Sequence, residues 1–181
     1  MTALSHDTQV VFVPWGGTAK RNRLFLVVAI TALLIGVGAI AGGVFGAIYT
    51  YNQAVAENVV TPDDASIPET PVRGPFTMLS QASIIEHHQL DSTGGLRYAE
   101  MPRQVQQTDE AGNLVVDEAG EPVMVANAAR ATWITATTLT TALHLGVMAY
   151  ALSAFAIVVG IALVGNGIVF LSLRTPKDGA A

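Results

Sequence analysis

Glu86-His87-His88 is the stretch whose residue types most invite chemistry. Two imidazoles and a carboxylate are the ligand types of a mononuclear iron site, which needs all three on one face of the metal. The spacing opposes that use. Neighbours on a helix point about 100° apart, and side chains meet at i,i+3 or i,i+4. His87 and His88 therefore do not share a face, and we read them as a surface or partner-facing pair. His6 lies in the N-terminal tail. His144 falls near the start of a long apolar run, where a lone interfacial histidine is structural more often than it is part of a proton path. The chain has no cysteine, which excludes disulfides and thiolate chemistry. No phosphate loop, nucleophile elbow, zinc-pair spacing or dinucleotide fingerprint is present. The expectation is a non-catalytic protein with no cofactor of its own.

The elements that must carry these residues are dominated by two runs without a charged side chain, Leu24–Thr50 and Ala131–Leu173. As helices at ~1.5 Å per residue they would reach about 40 and 65 Å, against a hydrocarbon core of about 30 Å. Charged residues are 13% of the chain, about half the usual share of a soluble domain. The first run is about twice as long as a signal-peptide core, so despite the small-x-small match at Ala54-Val55-Ala56 it reads as a retained anchor. The second is uneven: threonines crowd its first third, and Ala149–Leu173 is almost wholly apolar. Its span is therefore placed at 145–173, with residues 127–144 standing above the bilayer or at its interface.

Lys20, Arg21 and Arg23 flank one run, and Arg174 and Lys177 the other. Between the runs, residues 51–130 hold twelve acidic residues against four basic ones. By the positive-inside bias both termini are cytoplasmic. The predicted organisation is a tail at 1–23, a transmembrane helix at 24–50, an extracytoplasmic segment at 51–144, a second transmembrane helix at 145–173 and a tail at 174–181. The location is the plasma membrane. Val10–Val13 with Pro14 and Trp15 would rest at the membrane surface, or be part of a loose tail.

Inside the first run Gly38, Gly42 and Gly46 fall four apart, with Ala39, Gly43 and Ala47 on the adjoining row. Small residues at this spacing let another helix backbone come close where no hydrophobic force drives association. Asn166, between Gly165 and Gly167, is the deepest polar residue, read as an interhelical hydrogen bond or local kink. Neither core holds an ionised side chain of the kind that lines transport paths.

In the outer segment Pro62, Pro68, Pro71 and Pro75 mark residues 61–75 as an extended linker. Pro75 at the start and Gly94-Gly95 at the end punctuate a short amphipathic helix. Phe76, Leu79, Ala82 or Ser83, and Ile84 or Ile85 repeat at helical spacing, so this face should pack on something. Phe76 and Leu79, with His87 and His88, are the candidate partner contacts. DEAGNLVV (109–116) is echoed by DEAGEPVMV (117–125), which predicts a β-hairpin turning at residues 117–120.

Several stretches together resemble a family of small two-helix actinobacterial membrane proteins. These are MTALSHDT, the basic residues before LFLVVAI, ENVVTPDDA, GPFTMLSQASIIEHH, the TGG–RYAEM–R run and NAARATWITATTL. They cover most of the chain in order. Some members of that family carry the name aromatic ring-opening dioxygenase. Others are similar to an accessory subunit of the respiratory supercomplex that joins the cytochrome bcc menaquinol oxidase to the aa3 cytochrome c oxidase. The resemblance implies an accessory role beside larger membrane subunits, with lipid as the other neighbour and no nucleic acid. Four histidines on different sides of the membrane do not build a ring-opening iron site, so no active-site residue is carried over. Asp109–Val125 is an insertion relative to the family. The alternative reading is a stand-alone outward-facing binding or sensor protein that holds a metal through His87 or His88.

Overall fold

The computed structural model describes residues 18–174, so Met1, His6, Trp15, Lys177 and their neighbours lie outside the described residues. Two long helices, α1 (Thr18–Ala56) and α3 (Ala128–Ser172), enclose in sequence a short helix α2 (Pro75–Ser92) and two strands, β1 (Gln104–Gln106) and β2 (Met124–Ala126). α1 and α3 are each long and apolar enough to cross a membrane. α3 starts at Ala128, so the threonine-rich third is helical too. β-branched residues disfavour helix, but Thr132, Thr138 and Thr140 each turn their hydroxyl back to a carbonyl three or four residues earlier.

The chain divides into two compact units. In the first, residues 18–42 of α1 and 156–174 of α3 run antiparallel at very close range. A Cβ on Gly160 would sit 2.6 Å from the carbonyl oxygen of Gly36 and 2.6 Å from Ile40 Cγ1. One on Gly36 would lie 2.8 Å from the oxygen of Gly160, and one on Gly167 would lie 2.7 Å from Leu33 Cγ. Only glycine permits this backbone approach. Ala29 is fully buried in the same seam, and Phe25 meets Phe170 with ring centroids 5.9 Å apart.

The second unit, Gly43–Phe155, is held largely by hydrogen bonds. Residues 59–72 close on themselves: Val60 bridges Pro71, the Thr61 amide donates to Thr70 O at 3.0 Å, and the Val72 amide to Val59 O at 2.9 Å. The expected extended linker is thus a folded loop. Proline cannot donate, and the Thr61 hydroxyl, acting as both donor and acceptor, makes up the deficit. It donates to Ile67 O at 2.6 Å and accepts the Thr70 amide at 2.9 Å, with Thr61 only 2% exposed. Ser80 of α2 then accepts from the Ser66 hydroxyl and the Ile67 amide, both at 2.9 Å, which docks the loop on the helix.

α2 begins and ends where its punctuation predicts. The Thr77 hydroxyl accepts from the Arg73 and Gly74 amides at 3.1 and 3.2 Å, and the Gly95 amide reaches back to Leu90 O at 2.8 Å. Tyr150 of α3 donates its hydroxyl to Arg73 O at 2.6 Å, and Gln89 Nε2 donates to Thr132 Oγ1 at 2.9 Å. α2 is therefore tied to α3 near both of its ends. After it, residues 96–103 lie over the start of α3: Trp133 donates to Leu96 O at 3.0 Å, and the Arg130 guanidinium stacks 4.0 Å from the Tyr98 ring centroid.

The repeated DEAG text folds twice into the same turn. Asp109 Oδ1 accepts the amides of Ala111 and Asn113, and Asp117 Oδ1 those of Ala119 and Glu121, at 2.8–2.9 Å. Gly112 and Gly120 sit at φ +84° and +81°, the left-handed region that favours glycine. There are thus two turns where one was expected, and the paired strands are the outer ones, Gln104–Gln106 antiparallel to Met124–Ala126. Inside them Val115 N donates to Gln107 O, Val123 N to Val115 O, and Gln107 N to Val123 O at 2.9, 3.0 and 2.8 Å. These three bonds close a ring at eight-residue spacing.

Candidate functional site

α2 presents three differently used sides. Met78 and Ile85, seven residues apart, line a cleft walled by α1 and α3 within the second unit, and Ala82 between them is buried. Met78 lies so near Gly146 that a Cβ there would come 2.7 Å from its sulfur. Ser80 bonds the folded loop, and it and Ile84 one turn on are buried. Phe76, Leu79, Ser83 and His87 form the remaining stripe and stay exposed, Phe76 at 75% and Leu79 at 42%. The helical repeat that begins at Phe76 and Leu79 therefore marks the outward side. The inward side is carried by Met78, which sequence reasoning missed, together with Ala82 and Ile85, which it offered as members of the packing repeat. Two apolar stripes on one short helix look alike until the partners are known.

Below Met78, Gln81 and Ile85 opens an apolar cleft of about 510 Å³, walled also by Thr50, Ala54 and Leu143. Gln81 Oε1 is shut away from solvent with no hydrogen-bond partner among the described residues, a costly state for a carbonyl-type acceptor.

The histidine pair is split between two carboxylates. His88 Nε2 lies 2.6 Å from Asp64 Oδ2, linking α2 to the folded loop, and His87 Nε2 lies 3.4 Å from Asp91 one turn on. The hydrogen bond from His88 holds the Asp64 carboxyl below the usual carboxylate value. The two imidazoles are 6.3 Å apart by centroid. Among the described residues no three His, Cys, Asp or Glu side chains are grouped to hold a metal ion. Glu86 is engaged by Arg97 at 2.8 Å instead. His144 is exposed on α3.

The small-residue rows are also sorted. Gly43 is buried, and Gly46 lies against Ser153, whose hydroxyl would be 2.8 Å from an added Cβ. Gly38 and Gly42 face open space, with nothing within 4 Å of an added Cβ. Asn166 donates to Ala162 O of its own helix at 3.0 Å and is exposed, so it makes this bond within α3 rather than across to α1. A helix that already contains an i−4 carbonyl offers its amide a nearer acceptor than a neighbouring helix does. The signal that would have found the seam is a period of seven. Ala29, Gly36 and Gly43 are buried on α1, and Ser153, Gly160 and Gly167 on α3.

Comparison of the chain with family models, curated proteins and solved structures finds no match to any of them.

Proposed function

We propose that this protein is a non-catalytic, two-span accessory subunit of the actinobacterial respiratory supercomplex, packed on larger membrane subunits of the bcc–aa3 assembly. Its spans lie in the plasma membrane, its termini are cytoplasmic, and residues 51–144 cover extracytoplasmic surface. The observation that carries the membrane part is the bareness of α1 and α3. In their most apolar windows only 11% of residues are buried, and side chains such as Leu34, Phe45 and Leu152 stand about 70% exposed. Water does not tolerate a contiguous apolar surface of that length, so lipid or other membrane helices must cover it. Lys20, Arg21, Arg23 and Arg174 are all exposed at the ends assigned to the cytoplasm, which supports the orientation.

The accessory role rests on the family resemblance and on the open row at Gly38 and Gly42. Glycines not used by α3 leave a smooth surface for a second backbone. Leu79 and His87 offer an exposed stripe to a partner outside the bilayer. Native gel separation after mild detergent extraction tests this reading. The protein is expected to migrate with haem-containing complexes, and the double variant Gly38→Leu/Gly42→Leu to run alone while remaining in the membrane fraction. Wild-type protein that runs only as a small species, with or without bound metal, would overturn the accessory role in favour of a stand-alone binding protein.

A further inference from the structure

We infer that the loop-to-helix corner Arg73–Phe76 is a lipid-surface anchor, with the Arg73 guanidinium on headgroup phosphates and the Phe76 ring in the acyl boundary beneath them. It rests on the reading of α1 and α3 as membrane-crossing helices and adds a contact that they do not supply.

The height of the corner is fixed by α3. Tyr150 donates to Arg73 O at 2.6 Å, and Met78 lies on Gly146 one turn away. Tyr150 stands at the head of the almost wholly apolar run from Ala149 to Leu173, where such a run would meet the membrane surface. Tyr49 and Tyr51 fall at the end of the apolar run of α1, and both are exposed. Tyrosines at that level are the mark of a membrane–water interface. The lower end of α2 is thus held at the bilayer surface and not above it.

Two side chains there are unexplained by the protein's own packing. Phe76 is the most exposed large apolar side chain of the second unit, and in water it would be a liability. At the interface it continues the apolar band of Ile48, Met148 and Leu152, all more than half exposed. Arg73 is exposed, and among the described residues no ion pair engages it, whereas Arg97 is paired with Glu86. It is also the only basic residue between Arg23 and Arg97. A cation placed alone at the rim of an acidic segment, three residues from an exposed ring, has the chemistry of a phosphate-and-acyl contact. A protein partner at this corner would have to bring an anion and an apolar socket to the same height.

The test uses the full chain in nanodiscs, where the absence of cysteine permits single labels. An environment-sensitive dye is placed at Phe76→Cys, at Phe45→Cys on the bare side of α1 and at His87→Cys on α2. Phe76 is exposed, so the label costs no packing. With brominated lipids the dyes at positions 45 and 76 are expected to be quenched and the dye at 87 to remain water-like. Moving from zwitterionic to anionic lipid should raise quenching at 76, and Arg73→Gln should remove that gain, which is about fivefold in partitioning for one interfacial cation. Quenching at 45 without quenching at 76 would overturn the anchor while leaving the membrane reading intact. No quenching at 45 would overturn both. Quenching at 76 that ignores both lipid charge and Arg73→Gln would overturn the phosphate contact. A position-76 photocrosslink in native membranes that maps to a protein instead of lipid would overturn the anchor outright.

Discussion

The glycine seam of α1 and α3 and the folded loop at residues 59–72 are built on opposite principles. In the first unit's seam the contacts of Gly36, Gly160 and Gly167 are with backbone or aliphatic side chain, and glycine is essential because it has nothing to add. In the loop the key residue is Thr61, because its hydroxyl does two jobs at once. For two helices apolar enough to cross a membrane, lipid would offer no hydrophobic gain from joining them, and close packing at small residues is what can select the pairing. In water the backbone always has a competing partner, so the loop needs a buried group that satisfies what proline leaves open. One region fails when an atom is added and the other when an atom is removed.

The contrast breaks most sharply at Gly160. Gly160→Val forces two methyl groups against Gly36 O and Ile40, contacts already under 3 Å for a bare Cβ. Overpacking of this kind costs about 1–3 kcal/mol or more. Spin labels at Phe25→Cys and Phe170→Cys should lose their dipolar coupling, whereas Gly38→Val, with open space around it, should leave it unchanged. Equal effects would mean that shape does not select the pairing.

Thr61→Val keeps the volume and removes the hydroxyl. Leaving Ile67 O and the Thr70 amide unpaired costs about 1–3 kcal/mol, so exchange of the Thr70 amide should quicken by roughly ten- to a hundredfold. The helix seam should not respond.

The smallest effect is expected at the first DEAG turn, which is wholly exposed. The amide and side chain of Asn113 hold the Asp109 carboxyl below its usual 3.8. A carboxyl lowered in the fold stabilises it fully above the unfolded value and loses that contribution as pH falls through the folded value. The Gly112 and Asn113 amide resonances should therefore keep their folded positions down to about pH 4 and move below it. A transition centred above that range would remove Asp109 as the cause.

How far these two regions could be read beforehand follows the same division. The apolar runs became α1 and α3 because length and lack of charge are properties of the run itself. α2 kept its proline start and glycine end because those act within a few residues. The DEAG echo was visible as a turn because Asp and Gly carry their own backbone preferences. What lay hidden depended on distant partners. The four-residue row at Gly38 and Gly42 is more conspicuous in the text than the seven-residue series through Gly36. Only the neighbouring helix decides between them. Thr61 looks like any loop threonine until Ile67 and Thr70 return to it, and the pairing of β1 with β2 passes over two turns that look like hairpins of their own.

The closed ring through Gln107, Val115 and Val123 has a consequence for how this chain can change length. Each member passes one bond to the next at a step of eight residues, and the last returns to the first. Near-identical tandem text is prone to gain or loss of a copy, and elsewhere in a surface segment such an event would be harmless. Here a third copy would leave the circuit without a return bond, and a single copy would have no circuit to complete. The copy number of this module is therefore set by geometry, and variants of the protein should differ inside the copies far more readily than in how many there are.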